Sequence, residues 1–211
     1  MEYLDIYDEN GNHIGKEDRN IVHRDALWHN TVHCWLYDKK GNIYFQIRKD
    51  EQKLYTTASG HVKAGETIKE GFGREIEEEI GIKVDYNKAE FVNIYKFIMD
   101  KEKKDGSIFK DRAFSNVYVC IFNGNYNDFN FDDSEVSGLV KVNAKQALEL
   151  LKKGTGKVNA VTITKESDKN VERKQEITFE KFLVNKGETA IGKYGDVLNK
   201  VIELTAEGEL N

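Results

Sequence analysis

Proline is absent from the 211 residues, where average usage of about 5% would place roughly ten. That excludes proline-rich linkers and leaves every turn to Gly, Asn and Asp. Cysteine is nearly as scarce. Cys34 and Cys120 are too few for a disulfide scaffold and show no metal-ligand spacing, so both are expected as small core residues in a reducing cytoplasm. No apolar run approaches the roughly eighteen residues of a membrane span. The start, Met1-Glu2-Tyr3-Leu4-Asp5, lacks the basic and apolar regions of a secretory signal, so a cytoplasmic location without membrane contact is expected. Excess positive charge is missing too. With 32 Lys and Arg against 37 Asp and Glu, the net charge is −5, which argues against nucleic-acid binding and fits anionic substrates met through a bound cation. What is there is a charge-rich globular composition, 39% hydrophobic and 33% charged, of a size for one domain.

Hydrophobic alternation sets the first half of the chain. Tyr3 to Tyr7, the turn Asn10-Gly11 and the return His13-Ile14 read as a hairpin within about residues 1–20. Strands are expected at His29–Tyr37, Ile43–Arg48 and Leu54–Ala58, then at Phe91–Met99 and Phe114–Phe122 around a charged loop, Asp100–Asp111. Later come a helix at Asn143–Lys153, a β-pair at Val158–Thr164 and Glu176–Val184 around a polar tip, and a helix at Gly195–Leu204. Hairpins with helices between them give an α+β class. Residues from about 141 to 211 carry 13 Lys and Arg and 11 Asp and Glu, so this extension is no basic appendage. It leaves open a dimer interface, a lid or a wall of the pocket.

The period changes from two to 3.6 at one place. Thr67 followed by Glu70 is a capping box, Ile68, Phe72, Ile76 and Ile80 repeat at i, i+4, and Gly81 supplies a left-handed stop. Gly71 and Gly73 interrupt this helix at about 0.5–1 kcal/mol each, which suggests close packing or a nearby ligand. Glu75, Glu78 and Glu79 fall on one edge beside the apolar stripe. Three like charges repel there, toward the end of the helix where the macrodipole disfavours anions. A solvated acidic face is one reading. The other is a hard divalent cation, which takes several oxygen ligands and keeps room for water and phosphate.

The segment Gly60–Ile82, GHVKAGETIKEGFGREIEEEIGI, decides between them, because it resembles the Nudix box, G-x5-E-x7-R-E-U-x-E-E-x-G-U, with U a bulky aliphatic. Gly60, Glu66, Arg74, Glu75, Ile76, Glu78, Glu79, Gly81 and Ile82 fill every specified position. The resemblance implies an α/β/α sandwich with a mixed sheet and a loop–helix–loop motif. It implies Mg²⁺ or Mn²⁺ held by Glu75, Glu78, Glu79 and the carbonyl of Gly60, with Glu66 bracing Arg74. Either Glu75 or Glu78 would help deprotonate the attacking water. The implied activity is a hydrolase, a pyrophosphatase, that cleaves the diphosphate linkage of a nucleoside diphosphate joined to another moiety, or of a similar small molecule.

A second resemblance concerns the branch. His29 followed by Trp35, and His61 directly after Gly60, are similar to isopentenyl diphosphate isomerase and its hydrolase-like relatives, where histidines at these places belong to a metal site. His61 and His29 are therefore candidates for substrate or a second metal. The isomerase has a cysteine where this chain has Ser59, and two downstream glutamates where it has Asp111 and Ala113. Isomerisation is accordingly disfavoured. A non-catalytic nucleotide-sensing module is the remaining alternative, against which the complete box speaks. His13, His23 and His33 read as surface or satisfied strand histidines. Trp28, Trp35, Tyr37, Tyr44, Phe45 and Tyr55 read as core, with stacking on a base the rarer fate. The run Lys101-Glu102-Lys103-Lys104 reads as solvated, with phosphate contact the alternative.

Overall fold

The computed structural model describes residues 2–103, 105–183 and 192–208. Strands β1 (Tyr3–Tyr7) and β2 (His13–Asp18) form the opening hairpin. In its turn the Asp8 carboxylate accepts from the N–H groups of Asn10 and Asn12, and Gly11 takes φ +86°. The chain then enters α1 (Arg19–Asp25), capped by the Asp18 side chain. The sequence pattern predicts no helix there. Two turns are too short for a 3.6 period to register, and the capping aspartate is also the last residue of a strand.

Strand β3 (Trp28–Tyr37) is the spine. Its alternation sends Val32, Cys34 and Leu36 to one side and Trp35 and Tyr37 to the other. One edge pairs in parallel with β8 (Ile108–Ile121) from His29↔Ala113 to Tyr37↔Ile121. The opposite edge is shared by β1, then β6 (Ala58–His61), then β4 (Asn42–Arg48). β4 also pairs with the short β5 (Leu54–Tyr55) and leads through β9 (Val136–Asn143) to β10 (Lys157–Glu166) and β11 (Lys169–Thr178), while β7 (Ala89–Glu102) lies beside β8.

Helix α2 (Ile68–Ile80) covers one face, burying Phe72, Ile76 and Ile80 against Val32, Cys34 and Leu36. Helices α3 (Ala144–Lys153) and α4 (Gly192–Gly208) cover the other. There Leu148, Leu151, Ile177, Val197, Leu198 and Val201 pack with Trp35 and Phe45, so the chain beyond residue 141 shares a core with β3 and β4. The result is an α/β/α sandwich on a mixed sheet. Cys34 and Cys120 are buried free thiols, their ionisation opposed by burial.

Several expected boundaries move. The segment read as one strand, Leu54–Ala58, is two, β5 and β6, because the buried hydroxyls of Thr56 and Thr57 bond to the carbonyls of Cys34 and Tyr44 instead of extending one ladder. The charged loop expected at Asp100–Asp111 is mostly hairpin. Pairing runs on to Glu102↔Ile108, and the turn is carried by Asp105, Gly106 and Ser107. Charged side chains hid it, since both outer positions face water. The late pair likewise runs to a two-residue tip, Ser167-Asp168, with φ of 45° and 64°. Its second strand ends at Thr178, after which Phe179–Lys181 form a 3₁₀ turn. Val184 lies outside the described residues.

Candidate active site

The helix that carries the acidic edge is fixed at both ends by its sequence. Thr67 and Glu70 exchange side-chain-to-backbone hydrogen bonds at the start. At the other end Gly81 adopts φ +71° with Asn130 directly against its α-carbon, so a side chain there would be excluded twice over. Of the interior glycines, Gly71 packs close to Val62. A Cβ at Gly73 would meet nothing within 4 Å, so close packing accounts for only one of the two.

The three glutamates differ in surroundings. Glu79 is buried, its Oε2 accepting from Gln46 Nε2 at 2.8 Å and from the Ser59 N–H at 3.1 Å. Burial pushes its pKa up to about 8. Glu75 is partly buried, and burial raises its pKa too, against the pull of Arg74. Glu78 has 54% of its side chain exposed, with Arg74 at 3.0 Å and Lys63 at 3.7 Å. The edge thus runs from interior to solvent within one helical turn.

Arg74 ties this edge to the preceding loop. Its Nε and Nη2 donate to the two oxygens of Glu66 at 2.7 and 2.8 Å, its Nη1 to Glu75 at 2.6 Å and Glu78 at 3.0 Å, and its Nη2 also to the carbonyl of His61 at 2.8 Å. The bidentate pair holds the Glu66 carboxyl below its ordinary range. Glu66 also accepts from the Lys63 N–H, which locks the loop to the helix.

Strand β6 brings the backbone into the site. Alternate residues of a strand turn their N–H and C=O to opposite edges. The Val62 N–H donates to the Asn30 carbonyl, so Gly60, two residues earlier and paired with Val32, also faces β3. Ser59 and His61 face outward, where Ser59 N–H meets Glu79 and the His61 carbonyl meets Arg74. The carbonyl at the acidic edge is therefore that of Ser59, and the expectation for the Gly60 carbonyl is corrected by this parity. Gly60 serves differently: the Glu75 carboxylate lies where its Cβ would be.

On the face of β6 away from α2, His61 gathers with His23 and His29. Their ligand atoms lie within 4.8 Å of one another, with His23 Nε2 3.1 Å from His61 Nε2. His29 Nε2 stands 3.5 Å from Asp111 Oδ1, and both atoms are buried without a hydrogen-bond partner among the described residues. Burial lowers the His29 pKa to about 4 and raises that of Asp111 to about 6. Two orphaned buried polar atoms beside three imidazoles match the donor set of a cation site. The sequence singles out His29 and His61 and reads His23 as a surface or satisfied strand histidine; the structure instead brings His23 in from α1. The one available signal was the i, i+6 spacing of His23 and His29. His33 goes elsewhere, 3.2 Å from Lys193.

Trp35, Tyr37, Tyr44 and Phe45 are core. Trp28 stacks on Phe114, and Tyr55 is half-buried. Lys101 pairs with Glu51 and Lys103 lies over Phe109, while Lys104 is outside the described residues. A separate open groove of about 650 Å³ between Lys141, Asn159 and Lys174 contains none of the box residues.

A loop–helix–loop thus sets braced carboxylates against the edge of a mixed sheet. Comparison with known proteins gives this arrangement a family: residues 27–162 match the NUDIX domain, and the chain belongs to the Nudix hydrolases. An uncharacterized Nudix hydrolase of Clostridium acetobutylicum is 34% identical over 158 residues, 71% of this chain and 74% of that protein. Nudix hydrolase 3 of Arabidopsis thaliana is 30% identical over 125 residues, 56% of this chain but 16% of that much longer protein. An isopentenyl-diphosphate Delta-isomerase of Serratia proteamaculans is 26% identical over 128 residues, covering 58% and 68%. The crystal structure of DR0079 from Deinococcus radiodurans shares the fold with a TM-score of 0.53 at 20% identity, covering 72% of this chain and 90% of that one. Nudix hydrolases generally use divalent cations and act on small molecules, and no described helix is long and apolar enough to cross a membrane.

Proposed function

We propose that this chain hydrolyses the diphosphate linkage of a nucleoside diphosphate joined to another moiety, or of a similar small molecule, with Mg²⁺ or Mn²⁺ held by Glu75, Glu78, Glu79 and the Ser59 carbonyl. One observation carries the reading. Glu79 is a buried carboxyl whose hydrogen-bonding partners, Gln46 and the Ser59 N–H, are neutral and whose charged form is held at a disadvantage. A cation at that edge stabilises the charged form, so the residues fit the group. When bound, the ion lowers the pKa of water and screens the phosphoryl oxygens. The protein's own part is placement. Glu66 holds Arg74, Arg74 holds Glu75 and Glu78, and either of these two accepts the proton of the attacking water. We read residues 1–211 as one functional unit, since α4 and the late strands share its core.

The test is turnover. Glu75→Gln, Glu78→Gln and Glu79→Gln enzymes are assayed for phosphate or nucleotide release over a panel of diphosphates with Mg²⁺ and Mn²⁺. Loss of a proton acceptor lowers rate by roughly 10²–10⁴-fold. Wild-type turnover in all three would overturn the assignment.

The histidine cluster favours a second cation bound by His23, His29, His61 and Asp111, on the orphaned atoms of His29 and Asp111. That set is also what an isomerase acting on an allylic diphosphate would require, whereas Ser59 and Ala113 are not. Incubation with isopentenyl diphosphate distinguishes the two, with no isomerised product expected.

A further inference from the structure

The sheet face opposite α2 holds more than the histidine cluster. Register places Ser59 opposite His33 and His61 opposite Thr31, so these four side chains share the face on which Trp35 and α4 lie. Over His33 stands the ammonium of Lys193, from the first turn of α4, 3.2 Å from His33 Nδ1 and 3.4 Å from the Tyr55 hydroxyl. It also lies 5.1 Å from the centre of the Tyr55 ring, with the Arg48 guanidinium 5.5 Å from the same centre.

The charge balance of this group is unusual for a chain of net charge −5. Arg48 has Glu51 at 3.1 Å. Lys193 has no carboxylate partner among the described residues. Its neighbours are an imidazole and a phenol, and burial together with Lys193 and Arg48 holds the His33 pKa well down. A lysine carries three donors, of which His33 and Tyr55 take two. The third belongs to a half-buried cation without a counter-ion among the described residues, a group that gains from an anionic acceptor. Its neighbour His33 is paired with Ser59, the residue whose N–H holds Glu79, so strand pairing links the Lys193 side of the sheet to the acidic edge.

We propose that Lys193, assisted by Tyr55 and Arg48, forms an anion subsite that binds a phosphoryl oxygen of the substrate, across β6 from Glu75 and Glu79. This rests on the reading of the chain as a diphosphate hydrolase and adds to it. The carboxylate edge meets the diphosphate through a cation, whereas Lys193 meets it directly, so selectivity for anionic substrates does not come from the metal alone.

The experiment is calorimetric titration of the full chain with inorganic pyrophosphate in excess EDTA, where no divalent cation contributes. Wild type is expected to bind. Lys193→Met, which keeps the stem and removes the charge, is expected to weaken binding by at least about tenfold, the effect of one charge-assisted hydrogen bond. Lys193→Arg should stay within about threefold, and Tyr55→Phe should fall between. Should Lys193→Met fail to fold, the arginine and phenylalanine variants still decide. Equal affinity in Lys193→Met and wild type, or no metal-free binding by wild type, overturns the subsite. The metal reading is tested by turnover of the Glu75→Gln and Glu79→Gln enzymes and this subsite by metal-free binding to the Lys193 variants, so the two failures are told apart.

Discussion

The carboxylate of Glu75 occupies the space in which a Cβ on residue 60 would stand. Glycine at that place is a demand of the site, because Gly60 is paired strand with no need of a left-handed φ. The acidic edge reaches the strand only because the strand offers no side chain there. The same approach lets Glu79 meet the Ser59 N–H.

Gly60→Ala should therefore displace the Glu75 carboxylate while leaving the fold intact, since the clash is with the end of a flexible side chain. Divalent-cation affinity is expected to fall by roughly 10–100-fold, the range for disturbed metal-site support, with turnover falling alongside. Isothermal titration with Mn²⁺ and a thermal melt check both halves. An unchanged Mn²⁺ affinity means Glu75 is not held against Gly60.

Glu79 predicts a pH dependence in the metal-free protein. Its folded pKa of about 8 lies above the ordinary 4.5, so the folded state binds more protons than the unfolded state between these values. Stability from this group is therefore largest below about pH 4.5 and is lost as pH rises toward 8. In EDTA, urea unfolding from pH 5 to 8.5 should show wild type losing stability relative to Glu79→Gln as pH rises. A difference that does not change with pH contradicts the buried, disfavoured charge.

Gly73 sits inside α2 with open space where a Cβ would go. Gly73→Ala should stabilise by about 0.5–1 kcal/mol through helix propensity, or roughly 1–4 °C in Tm for a chain of this size. A lower Tm would mean that the space is filled in solution.

The helix α2 was legible to the residue, from Thr67 to Gly81, because capping, period and stop all agree. The brace between Glu66 and Arg74 was legible as part of a pattern, and the structure gives it two hydrogen bonds. What sequence could not supply was depth. Glu75, Glu78 and Glu79 look alike on a wheel, yet of the three only Glu79 is buried, since that depends on β4 delivering Gln46. His23 was lost with α1, two turns too short to show a period. Lys193 was lost because it meets His33 across most of the chain. Charge hid the extended β7–β8 hairpin, whose exposed residues follow the rules of a solvated loop as well as those of an outer strand.

Anomalous scattering from a crystal of the full chain soaked in manganese addresses the acidic edge most directly. The predicted result is a manganese peak within bonding distance of Glu75, Glu78, Glu79 and the Ser59 carbonyl, with Arg74 still gripping Glu66. A bare edge in the soaked crystal, with those carboxylates turned to water or to lysines, would contradict it.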